Sequence, residues 1–299
     1  MPVIGAAAVA LAAGLDLAAG EPPERIHPVA WYGRAVGALD RPWDRPRPVG
    51  ALLGVGLPTL AAAAAAGAVA LAARLDPRIG AVLAGLFLFS TVSLRMLLGV
   101  AREVVGLAGE DPDAARERLP ALVGRDPAAL SPAGMRSAAV ESAAENLADG
   151  LVAPLLAFAA LAPVSLALAA GGAAWVKAVN TADSMLGYPG EPVGAASARL
   201  DDAVMFVPAR LSAALLALAA RDPLALARAR RWAREPPSPN SGWPMATLAA
   251  VLAVRLEKPG AYALGSGELP TATQARRGIR IVGIAGGLAF AGAGVIAWS

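Results

Sequence analysis

Residues Gly150–Val176, GLVAPLLAFAALAPVSLALAAGGAAWV, form 27 consecutive positions without a charged side chain. About 20 apolar residues are enough to cross the hydrocarbon core of a bilayer as a helix. Two other uncharged runs have similar lengths, Val49–Ala73 with 25 residues and Ile281–Trp298 with 18. The sequence therefore predicts an all-α, polytopic integral membrane protein, because a helix satisfies its own backbone hydrogen bonds inside lipid.

The first of these runs, Gly150–Val176, which we call the central run, also predicts a bend. It contains Pro154 and Pro163, and proline breaks the hydrogen-bond ladder of a helix. A straight helix would hold the two polar flanks of the run roughly 30 Å apart, on opposite sides of the membrane. A hairpin bent at Ala162-Pro163 would bring both flanks to one side, and we favour the hairpin over the straight span.

Composition excludes several classes of protein. Of the 299 residues, 57% are hydrophobic and 16% charged, whereas soluble domains average about a quarter charged. The absence of cysteine excludes disulfides, thiolate metal sites and a cysteine nucleophile. The single histidine, His27, excludes a multi-histidine metal site. A net charge of +3, without basic residues interleaved with aromatics, argues against nucleic acid as a partner.

The remaining segments complete a prediction of one membrane domain covering residues 1–299. We expect hairpin or re-entrant helices, with polar loops on the cytoplasmic side, where arginines concentrate. This arrangement indicates a multi-pass protein of the inner (cytoplasmic) membrane. The expected elements are a first membrane helix in Met1–Gly20, a cytoplasmic loop Glu21–Pro48, a returning span Ile79–Ala101, two short helices within Arg102–Arg136 capped at Asp111-Pro112 and Asp126-Pro127, and a re-entrant or interfacial helix Ala203–Ala220.

An acidic motif, Glu141-Ser-Ala-Ala-Glu145-Asn-Leu-Ala-Asp149-Gly150, precedes the central run. Its acids are spaced i, i+4 and i+8, so on a regular helix they share one face. Three stacked carboxylates would suit a hard cation such as Mg²⁺ that carries bound phosphates. The alternative is a solvated helix face, although the acids lead directly into a membrane segment, where uncompensated charge is costly.

A second polar motif, Lys177-Ala-Val-Asn180-Thr181-Ala-Asp183-Ser184, follows the central run. One helical face offers hydrogen-bond donors to a phosphate or carboxylate from four residues, Lys177, Asn180, Thr181 and Ser184, while Asp183 lies to the side. Lys177 is also one of two lysines in a chain with 24 arginines. The alternative is a polar helix end whose lysine extends toward the membrane surface.

Three other features are weaker. Arg199-Leu-Asp201-Asp202 either binds a ligand or contains a local ion pair. The loop Pro236–Pro244 is either a rigid turn over a site or a linker. His27, at a membrane helix end, is either a ligand-binding residue or interfacial packing.

Read in order, these motifs resemble the CobD/CbiB family of cobalamin biosynthesis, which are membrane proteins assigned as adenosylcobinamide-phosphate synthases. They span residues 16 to 244, most of the chain. The resembling pieces are Asp16…Gly20-Glu21-Pro22…His27-Pro28-Val29…Gly33, Gly124-Arg125-Asp126, Glu141-Ser-x-x-Glu145-Asn-Leu-x-Asp149-Gly150, Lys177-Ala-Val-Asn180-Thr-x-Asp183-Ser184-Met-x-Gly187-Tyr188, Arg199-Leu-Asp201-Asp202, Pro208-Ala-Arg210 and Ser238-Pro239-Asn240-x-Gly242-Trp243-Pro244.

The resemblance implies ATP-dependent amide bond formation between (adenosyl)cobyric acid and aminopropanol or its phosphate ester. It thus implies a corrinoid, aminopropanol (phosphate) and ATP as ligands, Mg²⁺ as the metal, and the lipid bilayer as surroundings. A complex with other late membrane enzymes of the pathway is a further expectation. The alternative is a non-catalytic membrane carrier, or a sensor or scaffold for corrinoid enzymes; a carrier would be expected to contain inverted repeats, which the sequence does not show.

We assign roles to the residues of these motifs as hypotheses. The expected catalytic residues are Glu141, Glu145, Asp183 and Asp202. The expected metal ligands are Glu141, Glu145 and Asp149. The expected substrate-binding residues are Arg125, Asn146, Lys177, Asn180, Ser184, Arg199, Asn240 and His27.

Overall fold

A computed structural model describes residues 2–124, 126–188 and 190–298, and most of them are helical. In chain order the helices are α1 (Pro2–Ala19), α2 (Pro28–Leu39), α3 (Pro46–Leu75), α4 (Pro77–Thr91), α5 (Leu94–Glu110), α6 (Pro112–Arg118), α7 (Pro132–Leu147), α8 (Ala153–Leu161), α9 (Leu166–Leu186), α10 (Ala195–Val204), α11 (Phe206–Ala219), α12 (Ala225–Ala229), α13 (Gly242–Leu252) and α14 (Ala272–Trp298). A π-helical turn, Ala148–Val152, joins α7 to α8. Two short strands are present, β1 (Leu256–Lys258) and β2 (Tyr262–Leu264).

Several of these helices are long and apolar enough to cross a membrane. Within the described residues four stretches meet that condition, and α10 with α11, bent by 47°, would form a fifth if the pair is one span. The predicted class, an all-α polytopic membrane protein, is therefore confirmed. The four stretches are Pro46–Leu75, Pro77–Glu110, Pro132–Leu161 and Ala272–Trp298.

The predicted hairpin is present in the central run. The helix breaks at residues 162–165, and α9 then returns along α8 and packs against it. A Cβ atom placed on Gly172 would lie 3.8 Å from the Cβ of Ala157, which shows how closely the two helices approach. The expectation of a bend at Ala162-Pro163 is confirmed.

Other helix boundaries differ from the sequence-based expectations. The expected span Ile79–Ala101 is divided at Val92 and Ser93 into α4 and α5. The break is stabilised locally, because the Ser93 N–H donates to the carbonyl of Gly150 in the π-helical turn at 3.2 Å. The last helix begins at Ala272 rather than Ile281, since arginine is a good helix former and continues the helix beyond the uncharged run.

The two predicted helix caps have different outcomes. Asp111 caps α6 as expected, and its Oδ1 accepts from the Ala114 N–H at 3.1 Å. The expected cap at Asp126-Pro127 is wrong: Asp126 stabilises a turn through the Ala128 N–H at 2.9 Å. Ser131 caps α7 instead, and its Oγ accepts from the Gly134 N–H at 3.1 Å. Serine competes well with aspartate at this position.

The chain forms two compact units, and the expectation of a single domain stays a prediction. The first unit contains the chain up to Ser93, Asp149–Met205 and the chain from Ala289 onward. Within it α9 packs closely on α3 through small residues: a Cβ on Gly171 would lie 3.0 Å from the carbonyl oxygen of Ala62. Such small-residue contacts are typical of helices packed in membranes.

The second unit contains Leu94–Ala148 and Phe206–Leu288. Here α7 packs against α5 and α13, and α13 also contacts α11 and α12. The two strands are antiparallel and pair Leu256 with Leu264, and β1 packs against α7. The chain turns between them at Gly260, whose φ of +75° favours glycine. The expected loop Glu21–Pro48 contains the helix α2, and the sequence predicted neither α12, α13 nor this β-hairpin. The Pro259-Gly260 pair of the hairpin is nevertheless a turn signal.

Candidate functional site

A polar cluster forms around Lys177 in the first unit. Lys177 lies 11 residues after the start of α9, and Asp149 lies 12 residues before the end of α8, so each is about 17 Å from the bend at a rise of 1.5 Å per residue. Lys177 is half-buried, and its ammonium group interacts electrostatically with Asp149, Glu21 and Asp201. The hairpin therefore brings together groups from the two flanks of the central run.

Glu21 and His27 form one side of this cluster. The Glu21 Oε2 lies 4.0 Å from the His27 Nε2. Burial raises the pKa of Glu21; the charge of Lys177 opposes this shift, and the completely buried Asp16 on α1 adds to it. Burial and the charge of Lys177 lower the pKa of His27, so its imidazole is neutral at pH 7. The structure gives His27 a structural role as well, because its Nδ1 accepts from the Val29 N–H at 3.3 Å and caps α2.

Acids from α9 and α10 form the other side. The Asn180 Nδ2 donates to the Oδ1 of the buried Asp201 at 3.5 Å. Asp183 lies within electrostatic range of Asp202 and Asp201. Burial, with the charge of Asp202, raises the pKa of Asp183 to about 6. A carboxyl group with such a pKa changes its protonation state near neutral pH, as a general base requires.

We call this group the Lys177 cluster, and it consists of Glu21, Asp149, Lys177, Asp183, Asp201 and Asp202. Carboxyl groups outnumber the single ammonium group in it. A half-buried site with an excess of acids attracts cations, such as a protonated amine or a metal ion. The arrangement can thus hold an amine and accept its proton.

The hydroxyl groups of α9 do not act as the free donors that the sequence suggested. The Ser184 Oγ donates to the Asn180 carbonyl at 2.9 Å, and the Thr181 Oγ1 donates to the Lys177 carbonyl at 2.8 Å. Both protons are therefore used by the helix itself. What these two side chains offer a ligand is their oxygen atoms as acceptors.

Arg199 lies at a separate cleft of the same unit. The cleft has a volume of about 880 Å³, and Arg47, Tyr188 and Glu191 also line it. The expected alternative, an ion pair of Arg199 with a neighbouring acid, is not found among the described residues. Arg199 is exposed and can reach an anionic ligand in this cleft.

The expected metal site of three carboxylates requires correction. In the part of the chain that the structure describes, no three histidine, aspartate or glutamate side chains are arranged to hold a metal ion. Glu141 is buried, and its carboxylate accepts from the Tyr262 Oη at 2.9 Å and the Ser137 Oγ at 3.2 Å. Ser137 also accepts from the Glu257 N–H of β1, so this carboxylate holds the β-hairpin against α7.

Four more of the predicted site residues remain. Glu145 is half-buried on α7, in the second unit, as is Asn146, whose Nδ2 donates to the Ser142 carbonyl at 3.0 Å. Asn240 is buried in the same unit, and its Oδ1 accepts from Arg210 at 2.9 Å. Arg125 lies outside the described residues.

Sequence reasoning missed some of the groups that the structure brings together. Glu21 and Asp201 were within quoted motifs but had no role, and Tyr262 was in no motif. A role for Glu21 could have been suspected from its position, because this acid lies between a membrane helix and Pro22. Tyr262 had no comparable signal, since its partner Glu141 is 121 positions away.

The fold and the Lys177 cluster define a class: an all-α, polytopic membrane protein that holds an acid-rich polar cluster beside a helical hairpin. The profile of the family described as "CobD/Cbib protein" matches residues 9–288. The chain belongs to the CobD/CbiB family.

Curated relatives support this membership. A probable cobalamin biosynthesis protein CobD of Methanothrix thermoacetophila is 37% identical over 91% of this chain and 90% of its own length. The cobalamin biosynthesis protein CobD of Rhodobacter capsulatus is 40% identical over 86% and 83%, respectively. That of Klebsiella pneumoniae is 39% identical over 83% and 81%. No solved structure matches the chain.

Proposed function

We propose that this protein is a cobinamide synthase, an ATP-dependent ligase that joins (adenosyl)cobyric acid to aminopropanol or aminopropanol phosphate through an amide bond. Its membership of a family of cobalamin biosynthesis proteins supports the pathway. The observation that carries the proposal is the half-buried Lys177, which interacts with Asp149, Glu21 and Asp201 beside the hairpin. This cluster offers both a cation and several carboxylates to a reaction between a carboxylate and an amine.

The reaction needs activation, because a carboxylate and a protonated amine do not condense readily in water. In the proposed route the corrinoid carboxylate oxygen takes the γ-phosphoryl group of ATP, which forms an acyl phosphate and releases ADP. The deprotonated amine nitrogen then attacks the carbonyl carbon, and phosphate leaves as the C–O bond breaks. Lys177 stabilises the negative charge on the transferred phosphoryl group and on the departing phosphate.

The acids of the cluster have separate roles in this proposal. The excess of carboxylates attracts the ammonium form of aminopropanol. Asp183, with its pKa near 6, accepts a proton from the amine, and Asp202 is the alternative acceptor. Asn180 holds Asp201 in place through its amide hydrogen bond.

Mg²⁺ fits this site only with a small protein ligand set. Asp149 offers the hard oxygen donors that the ion prefers, and it lies within the acid-rich cluster. Since no third carboxylate completes a cage among the described residues, phosphate oxygens and water would supply the other ligands, as is common for Mg²⁺. The ion would neutralise phosphate charge.

The test is a turnover assay with purified protein in detergent or nanodiscs, given cobyric acid, aminopropanol phosphate, ATP and Mg²⁺. We expect a cobinamide product, detected by mass, together with ATP consumption, and no product without ATP. Lys177→Met should abolish turnover, whereas Lys258→Met should retain it, because the only other lysine is exposed on β1. Corrinoid binding without turnover in the wild-type protein would contradict the proposal and favour a carrier, sensor or scaffold.

We further propose that the protein acts in the inner (cytoplasmic) membrane, with the cluster open to the cytoplasm, where ATP is present. The arginine-rich segment Glu21–Pro48 supports this orientation. Association with other late membrane enzymes of the pathway would keep the bulky corrinoid near the bilayer.

A further inference from the structure

A second polar site lies within the second unit, at a cleft between α11, the α12 segment and α13. Its volume is about 430 Å³. Arg210, Arg230 and Trp243 line it together with the apolar Pro223, Leu226 and Ala227. The proposed ligase chemistry uses none of these side chains.

The Arg210 guanidinium is held rigidly at this cleft. It lies 3.5 Å from the centre of the Phe206 ring and 5.3 Å from that of Trp243. Its Nη1 donates to the Phe206 carbonyl at 2.7 Å and to the Oδ1 of Asn240 at 2.9 Å. Asn240 is only 3% exposed, so this support is part of the folded core. The Nε and Nη2 groups of Arg210 have no hydrogen-bond partner in the described part of the chain.

Positive charge at the cleft is not neutralised by the protein. Arg234 is close enough to Arg210 to repel it electrostatically. Arg228, by contrast, forms an ion pair with Asp222. Across the described ranges no carboxylate forms an ion pair with Arg210, Arg230 or Arg234, although Asp222 and Glu235 lie in the same segment of sequence.

We propose that this cleft binds a phosphate group that carries net negative charge, either in a soluble phosphate ester or in the head group of an anionic phospholipid. A guanidinium with free, fixed N–H groups forms paired hydrogen bonds to phosphate oxygens, and Arg230 adds a second charge. The volume exceeds that of a single phosphate, and the Trp243 ring with Leu226 offers an apolar surface for the rest of the ligand.

The first experiment tests the soluble source. Protein in neutral detergent is titrated with inorganic pyrophosphate by calorimetry. Arg230→Gln should weaken one binding event by about tenfold or more, as expected for the loss of a charge-assisted contact. Arg231→Gln removes the same charge from the adjacent exposed position, which does not line the cleft, and should leave that event within about twofold.

The second experiment tests the lipid source. The same proteins are placed in nanodiscs of phosphatidylcholine alone or with phosphatidylglycerol, and thermal unfolding midpoints are compared. If the site takes a head group, the anionic lipid raises the midpoint of the wild type and of Arg231→Gln but not that of Arg230→Gln. The phosphatidylcholine discs also show whether Arg230→Gln is folded, which we expect because Arg230 is exposed.

If Arg230→Gln, but not Arg231→Gln, loses pyrophosphate affinity or the stabilisation by anionic lipid, the phosphate site is supported. The experiment that shows the loss identifies whether the phosphate comes from a soluble ester or from a lipid. Equal effects of the two substitutions, or no effect in both experiments, would overturn it, since the arginines would then act only as general surface charge. Arg199→Gln, at the other arginine-lined cleft, should leave the Arg230-dependent event intact. Binding is measured here without turnover, so this proposal and the ligase proposal can fail separately.

Discussion

Asp183 is the residue whose ionisation should set the acid limit of the proposed reaction. Its pKa is raised to about 6 because burial and the charge of Asp202 disfavour the carboxylate form. A general base must be ionised to accept a proton, so turnover should be present above this pH and fall as the pH drops through about 6. The measurement is kcat as a function of pH.

Asp183→Asn should lose turnover across the whole pH range, while Asp40→Asn, a change at an exposed aspartate that ends α2, should keep the wild-type profile. If Asp183→Asn retained both the rate and the acid limb of the wild type, Asp183 would not be the proton acceptor.

Glu141 is a predicted catalytic residue for which the structure shows a structural role. Tyr262→Phe removes the hydroxyl that donates to its buried carboxylate at 2.9 Å. Leaving a buried acceptor without its donor costs about 1–3 kcal/mol, so the midpoint of thermal unfolding in detergent should fall. Tyr188→Phe is the matched control, because Tyr188 is 64% exposed, and it should unfold like the wild type. Equal midpoints for all three proteins would mean that this hydrogen bond contributes little to stability.

The sequence allowed us to predict site residues of an unusual type for this chain. It did not reveal residues that reach the site only through tertiary contacts. Lys177 departs from the arginine bias of the chain, and it does lie among acids. Glu21 joins it only because the loop after α1 approaches Lys177 on α9, and local spacing in the sequence cannot show that approach. Glu141 and Glu145 had the spacing of a ligand set, but spacing cannot show that Tyr262 covers one of them.

Among the elements, the packing of α3 depends on the absence of a side chain at Gly50. A Cβ at this position would overlap the backbone carbonyl oxygen of Val193. Gly50→Ala should therefore destabilise the protein by about 1–3 kcal/mol, because backbone must move to relieve the overlap.

The matched control for Gly50 is on the same helix. A Cβ added at Gly67 would have nothing within 4 Å of it, so Gly67→Ala should be neutral or stabilising, by up to about 1 kcal/mol, through helix propensity. The measurement is the midpoint of thermal unfolding of both variants in detergent. A Gly50→Ala protein as stable as Gly67→Ala would mean that α3 does not approach Val193 closely.

Helix locations could be predicted from uncharged runs, but helix ends could not. A run without charge marks where a segment can enter lipid, whereas a helix continues through arginines, so α14 begins nine residues before the run that predicted it. The break between α4 and α5 has no proline or glycine to signal it. It depends on a carbonyl of the π-helical turn at Gly150, which is distant in sequence.

For the molecule as a whole, the hairpin of α8 and α9 is the feature on which the candidate site depends. It could be predicted because Pro163 interrupts the long uncharged run Gly150–Val176, and a bend there brings the two polar flanks of the run to one side. The grouping of the chain into two units was not predictable, since each unit is assembled from segments distant in sequence. The family match covers residues 9–288, a range that includes the quoted motifs and the segment that forms the hairpin.

Oxidative cross-linking tests the hairpin most directly, because the chain contains no cysteine of its own. In Ala157→Cys/Gly172→Cys the two Cβ atoms would be 3.8 Å apart, the usual spacing of a disulfide. In one straight helix the same positions would be about 22 Å apart. After mild oxidation in membranes we predict a disulfide in the double variant, seen as loss of maleimide labelling that a reductant restores, while each single variant stays labelled. Full labelling of both thiols after oxidation would contradict the hairpin, and the Lys177 cluster could not then form.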